Sequence, residues 1–304
     1  MTLARRFAGV SVVALAALAA ACAKPAPAPE PEAAVTTAVQ AWRDKHEADY
    51  RREWVTIAGL HFLKPGAQTA GSAKGSDVEL PASAPSTLGR FVLEGSTVRF
   101  EPAKDAVVDL KGARVTAPVV LKDDASGPAD ELKAGTVTVA VHVSGERRSL
   151  RVWDPEGPLA RGFKGFTWFP IQGDYHVTGR FIPDAAPRTM QVINTFGDLD
   201  SFQTQGVVEF TLNGQTLRLR PFTTRPKRFY FVFKDASSGN ETYAAARFLY
   251  ADLQQDGTTI LDFNEAYNPP CSFNPFTTCP IPLPENRLAI KVLAGEKKYR
   301  GAEP

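Results

Sequence analysis

Histidine and cysteine are scarce in this chain, which holds four of the first and three of the second in 304 residues. His46, His61, His142 and His176 include no pair at metal-ligand spacing, and His46-Glu47 has Tyr50 where a helical zinc site places its second histidine. A zinc centre built on histidine pairs is therefore disfavoured, and no metal is expected. The motifs that mark nucleophiles and phosphate cradles are missing too: no Gly-x-Ser-x-Gly, no Ser-x-x-Lys, no Gly-rich phosphate loop, no His-Glu-x-x-His. The sequence announces no reaction, so whether the protein is an enzyme stays open, and no cofactor is expected. A surplus of one charge is also lacking. The formal charge is +2, and residues 1–21 carry Arg5 and Arg6 but no acid, so without them it falls from +2 to 0. Nucleic acid is not an expected partner, because its binding relies on many phosphate-neutralising side chains.

The N-terminus is informative. Arg5 and Arg6 precede an apolar run, Phe7 to Ala21, that is too short to span a bilayer but fits the hydrophobic region of a signal peptide. It ends in Leu18-Ala19-Ala20-Ala21-Cys22, which resembles a bacterial lipoprotein processing box. Residues 1–21 are thus expected to be removed and Cys22 to be lipidated, anchoring the chain to a membrane. The alternative is an ordinary signal peptide cut elsewhere. Ala23 follows the cysteine, not Asp, which points to the outer membrane and a periplasmic face. Residues 22–34 then form a Pro/Ala tether; extended polyproline at roughly 3 Å per residue holds the folded part about 30 Å from the bilayer.

Beyond the tether the chain is expected to be mainly β. The exception is residues 35–56, where Val39, Trp42, His46, Tyr50 and Trp54 recur at helical spacing with charges on the other faces. From residue 57 short alternating runs rich in Val, Phe, Thr and Ile, such as "TVTVAVHV" and "RFYFVFKD", are broken by Gly, Pro, Asp and Asn. In "VVEFTLNGQTLRLRPF", Asn213-Gly214 sits between two alternating strands, as a type I′ hairpin turn requires. The spacing predicts an N-terminal β subdomain over 57–150, a small sandwich, and a C-terminal one over 151–304, an antiparallel sandwich or barrel.

Four segments resemble one bacterial family of uncharacterised lipoproteins and soluble proteins, the domain of unknown function 1684. They are "WVTIAGLHFLKPGAQTAGSAKGSDVELP", "WDPEGPLARGFKGFTWFP", "GNETYAAARFLY" and "LDFNEAYNPPCSFNPFTTCPIPLPENRLAIKVLAGEKKY". The resemblance covers roughly residues 40–300 and implies a shared architecture, with no activity attached. Within the first half, "GSAKGSDVELP" and "GRFVLEGSTVRF" also resemble the early strands of a forkhead-associated sandwich. Ser72 stands where that family has its arginine, so phosphopeptide binding is not implied.

Candidate site residues gather near the C-terminus. Cys271 and Cys279 form an even pair once Cys22 is lipidated, and an oxidising compartment favours a disulfide between them. Closing that small ring is worth roughly 2.5 kcal/mol in the chain-entropy model. The metal alternative needs two further ligands, and no Cys-x-x-Cys and no nearby histidine supplies them. Asn268-Pro269 and Pro269-Pro270 are candidates for cis bonds. If the runs around Asp256-Gly257 are neighbouring strands, Arg247 can approach Asp262. Two readings follow. Glu241 and Asp262 form a catalytic acid–base pair with Arg247 orienting substrate and Asn264, Tyr267 and Asn268 shaping a pocket. Alternatively Arg247 neutralises a half-buried Asp262 while Asn264 and Asn268 cap loop backbone. Trp168, in the aromatic cluster 163–175, is either core or a stacking platform for a sugar; His46, His142 and His176 read as structural. The expected function is a binding or assembly module for an envelope glycan, lipid or protein. The alternative is a carboxylate-dependent hydrolase acting on such a glycan.

Overall fold

The computed structural model describes residues 32–301; Cys22 and the signal segment lie outside them. The chain opens with helix α1, Ala33–Glu53. Its buried stripe of Val39, Arg43, His46 and Tyr50 follows the three- and four-residue spacing of the sequence, and the ion pair Glu47–Arg51 lies on the outer surface at 2.8 Å. His46 is sandwiched between Trp42 and Tyr50, with ring centroids 4.7 and 4.2 Å away. Burial pushes its pKa down to about 3, so it is a neutral packing residue of the helix.

Eleven strands follow: β1 (Ile57–Phe62), β2 (Gly66–Gly71), β3 (Val78–Glu79), β4 (Gly89–Glu94), β5 (Thr97–Pro102), β6 (Asp109–Leu110), β7 (Ala113–Arg114), β8 (Val119–Leu121), β9 (Glu131–Ala134), β10 (Val137–Ser144) and β11 (Arg147–Trp153). They form two sheets, ordered β1-β11-β10-β9-β6-β7 and β3-β2-β4-β5-β8. Strand alternation sends Leu132, Val139, Val141, Leu150 and Val152 from one sheet and Phe91, Leu93, Val98 and Phe100 from the other into one shared core. This half is a β-sandwich.

The second half starts with the short helix α2 (Pro158–Gly162) and continues through β12 (His176–Ile193), β13 (Leu199–Leu212), β14 (Gln215–Leu219), β15 (Phe222–Arg225), β16 (Arg228–Phe233), β17 (Arg247–Asp252) and β18 (Thr258–Asp262). One sheet runs β14-β13-β12-β18 and the other β15-β16-β17, and all their pairings are antiparallel. Neither closes on itself, so the barrel alternative gives way to open packed sheets. Asn213 and Gly214 both have positive φ, 52° and 72°, the pair of values a type I′ turn demands, and they join β13 to β14. The aromatic core of this half divides in two. Phe210, Phe231, Phe233 and Phe263 fill the space between the sheets. Phe222, Tyr230, Phe248 and Tyr267 form the face onto which Tyr50 of α1 packs.

The proline-rich stretch after β18 is the mortar between the halves. Asn274 donates from Nδ2 to the carbonyls of Trp54 and Ile57, where α1 passes into β1. Thr278 reaches Nε2 of His142 in β10 at 3.0 Å. The other ring nitrogen of His142 pairs with Asp124 at 2.5 Å, so that histidine is a structural strut. All peptide bonds among the described residues are trans, so neither Asn268-Pro269 nor Pro269-Pro270 is cis. Irregular backbone can lie this deep because side chains of the Asn274 type satisfy its neighbours.

Candidate functional site

A cleft of about 500 Å³ lies between the start of α1 and the strand ends of the second half. Its walls differ in chemistry. Ala34, Val35, Ala38 and Trp42 of α1 make one side apolar, and the other carries His176, Asp262, Glu265, Tyr250 and Arg228. Antiparallel pairing of β12 with β18 sets His176 directly across from Asp262. The histidine Nδ1 meets Asp262 Oδ2 at 2.7 Å, while the other carboxylate oxygen accepts from the backbone N–H and Nδ2 of Asn264 at 3.0 and 2.9 Å. Asp262 is thereby fixed from both sides, and its fixed oxygen sets the ring orientation of His176. No hydrogen bond reaches His176 Nε2 from any described residue.

Glu265 ends the 3₁₀ turn Phe263–Glu265 that follows β18. Burial, and then the charge of Asp262, push its pKa up to about 7, against the opposing pull of Arg228 and Arg43. Near neutrality a carboxylic acid and a carboxylate-oriented imidazole thus share one cleft. Arg228 is held beside them by Asp252 at 2.8 Å and lies over the Tyr250 ring, 5.1 Å from its centroid. Arg43 of α1 reaches in behind: Nε and Nη2 donate to the Asn264 carbonyl at 3.3 and 2.9 Å, and Nη1 to the Phe169 carbonyl at 3.1 Å. Burial lowers its pKa to about 10, partly offset by Asp262 and Glu265.

The residues singled out in the sequence are dispersed. Arg247 does not meet Asp262; it is fully buried with Asp235, at 2.7 Å, and donates also to the carbonyls of Val292 (2.8 Å) and Ala294. The reason is strand alternation: Arg247, Leu249 and Ala251 point into the core between the sheets, and Phe248 and Tyr250 point the other way. Glu241 lies apart from Asp262 in a separate depression with Lys297, Lys298 and Arg300, and its carboxylate is taken by Lys291 at 2.7 Å. The acid–base pair of Glu241 and Asp262 therefore does not form. Asn264, Tyr267 and Asn268 are buried and line no part of the cleft. Asn264 is the scaffold of Asp262 and also bridges both backbone groups of Gln172. Asn268 holds the buried carboxyl of Glu296 through its N–H (2.9 Å) and Nδ2 (2.8 Å), and burial pushes that acid up to about 8. Trp168 is no open platform, because the Arg43 guanidinium stacks over its ring at 4.8 Å and Trp42 abuts it edge-on.

Cys271 and Cys279 are free thiols in this structure, one half-buried and one buried, so the expected staple is not closed. Hydrogen bonding from Cys279, then from Tyr243, holds the Cys271 thiol below its ordinary pKa, and burial together with that donated bond raises Cys279. Among the described residues no group of three or more His, Cys, Asp or Glu could hold a metal. What sequence reasoning missed is the polar wall of the cleft: His176, Glu265, Arg228 and Tyr250. His176 read as structural because nothing local to it announces a partner 86 residues away.

An N-terminal helix packed on sheets, with a half-polar cleft at their junction, defines a mainly β protein. Residues 161–297 match the family described as "Protein of unknown function (DUF1684)". That span holds the whole polar side of the cleft and leaves α1 outside. Among solved structures, the chain is similar to an uncharacterized protein of Haloarcula marismortui determined by solution NMR. The two are 27% identical over 47% of this chain and 82% of that one, with a TM-score of 0.40. No curated protein matches.

Proposed function

We propose that this is an envelope lipoprotein, lipidated at Cys22, that acts as a binding module for a hydroxyl-rich envelope ligand, a glycan carrying an apolar group. One observation carries the reading: the cleft has an apolar wall facing a wall of fixed hydrogen-bonding groups, the lining that small-ligand sites combine. Ala34 and Val35, on the apolar wall, lie only about a dozen residues after Cys22. An anchored chain with an extended tether of roughly 30 Å keeps the cleft within reach of the membrane surface. The processing-box sequence and the Pro/Ala tether support the anchored, periplasmic location. In that oxidising compartment the Cys271 and Cys279 thiols are expected to close into the staple.

The test is ligand-observed NMR on the purified protein with defined envelope fragments: peptidoglycan fragments, lipopolysaccharide-derived glycans and phospholipid vesicles. Saturation transfer to a glycan fragment, weakened at least tenfold in affinity by Tyr250→Ala and by Trp42→Ala, supports the reading. Transfer to none of them, or transfer indifferent to both substitutions, refutes it. Labelled palmitate incorporated by the wild type and lost in Cys22→Ser tests the anchor separately.

A further inference from the structure

The cleft contains more than binding requires. A ligand pocket needs donors and acceptors, yet one carboxylate here is spent on orienting an imidazole, and a second carboxyl beside it keeps its proton near neutrality. From this geometry we infer that the cleft hydrolyses a carboxylic ester of the bound hydroxylated ligand, with His176 as general base, Asp262 as its positioning residue and Glu265 as general acid. The inference rests on the binding reading above and adds a reaction to it.

The assignment of roles follows from which atoms are free. Asp262 has both oxygens occupied, by His176 Nδ1 and by Asn264, so it is not available as a nucleophile or as a base toward substrate. His176 Nε2 has no partner among the described residues, and the ring lines the cleft. With Nδ1–H donated to the carboxylate, Nε2 bears the lone pair, the tautomer a general base needs. Glu265 lines the same cleft, and its carboxyl accepts no hydrogen bond from any described residue. Its protonated form is free to donate. The substrate class follows from the same occupancy. Glycoside cleavage uses two free carboxyl groups, and here only one is free. Water attack on an ester carbonyl needs one base and, for a poor leaving group, one acid. The α1 wall offers the acyl group an apolar surface.

The step balances with water alone. Nε2 takes one proton of the water as its oxygen bonds to the carbonyl carbon, and the carbonyl π pair moves to oxygen. That pair returns as the bond from carbon to the alcohol oxygen breaks, and the departing oxygen takes the proton of Glu265. The products are a carboxylic acid and an alcohol. The imidazolium proton then passes through solvent to the Glu265 carboxylate and both groups are reset.

The experiment compares two esters on the full-length chain in detergent: tributyrin, whose alcohol must be protonated to leave, and p-nitrophenyl butyrate, whose phenolate leaves unaided. The wild type is expected to hydrolyse both. His176→Gln and His176→Asn lower kcat/KM on both by about 10²-fold or more, the usual effect of deleting a general base. Glu265→Gln lowers tributyrin turnover at least tenfold more than p-nitrophenyl butyrate turnover, a split that loss of packing does not produce. All three variants are to retain the wild-type near-ultraviolet circular dichroism. A wild type no faster than the two His176 variants on either ester overturns the inference, as does a Glu265→Gln loss equal on both. If glycan fragments still bind to a chain that cleaves neither ester, the hydrolysis falls and the binding reading stands. If ester cleavage persists in a chain that binds no glycan, the glycan reading falls.

Discussion

Removing one carboxylate from the second-half core tests the packing logic most directly. The Arg247 and Asp235 side chains are both without solvent exposure; the two terminal nitrogens of the guanidinium also donate to the Val292 and Ala294 carbonyls, and its Nε is buried without a partner. Asp235→Ala leaves the cation buried beside acceptors but without a counter-charge, which costs about 3–5 kcal/mol. It also orphans the Ser237 N–H, which Asp235 Oδ1 accepts at 2.6 Å. That second loss is worth about 1–3 kcal/mol, although the two do not simply add. The nearest remaining acid is Glu296, which burial keeps protonated up to about pH 8, so it offers no ready replacement. A loss of about 4 kcal/mol is therefore expected, a large fraction of the roughly 5–15 kcal/mol that holds such a fold. Asp235→Asn retains an acceptor for Ser237 and isolates the charge; it should lose about 3 kcal/mol. The double variant Arg247→Met with Asp235→Leu removes both charges and should fall short of the summed single losses by at least about 2 kcal/mol. Urea unfolding followed by near-ultraviolet circular dichroism reads all three. A loss below about 1 kcal/mol for Asp235→Ala, at unchanged m-value, refutes the view that this pair is locked in a dry core.

Four further outcomes follow from other positions. Gly295 has φ +75°, and a Cβ there would sit 2.1 Å from the Ala266 carbonyl oxygen, so Gly295→Ala should cost more than about 2 kcal/mol in the same urea titration. Asn274→Ala removes the side-chain donor from the carbonyls of Trp54, which keeps the Ile57 N–H at 3.3 Å, and of Ile57; it should cost about 1–3 kcal/mol, with hydrogen exchange rising first at the junction of α1 and β1. The Glu296 pKa is raised in the fold from its ordinary 4.5 to about 8, so the native state binds the extra proton and this group's stabilisation drains away as pH rises from about 4.5 to 8. Glu296→Gln should flatten that slope; an unchanged pH profile would show that the acid is ionised in the fold. Chain isolated from the periplasm should give a linked Cys271–Cys279 peptide in a non-reducing map, and reduction should lower stability by about 2.5 kcal/mol; free thiols in that map sink the staple.

The fold was legible where its cause is local. Asn213-Gly214 announces its hairpin because two adjacent residues must take positive φ, and few residue types do so cheaply. The helix was legible because Val39, His46 and Tyr50 repeat at its period. The site was not legible, since it depends on register between distant strands. Tyr250 of β17 and Asp262 of β18 belong to different sheets yet line one cleft. Arg247 lies three residues from Tyr250 and so falls on the opposite face. A shift of one residue in a strand exchanges core for cleft, and no composition signal reports it. His176 was passed over for a related reason: its meaning comes from β18, reached only after 86 residues of intervening chain.

Asn264 explains why the two walls of the cleft act together although only one lies in the family-matched span. Its carbonyl receives two N–H groups of Arg43, the buried cation of α1, while its own N–H and Nδ2 hold Asp262 Oδ1. A single residue therefore ties the docking of the helix to the orientation of the dyad. Arg43 also stacks on Trp168, so of the two readings of that aromatic, core or sugar platform, it takes a packing role as the seat for the helix. A helix that moved away would take the apolar wall with it and leave the Asn264 carbonyl without its donors. The position of α1 and the orientation of His176 are then two outcomes of one hydrogen-bonded chain.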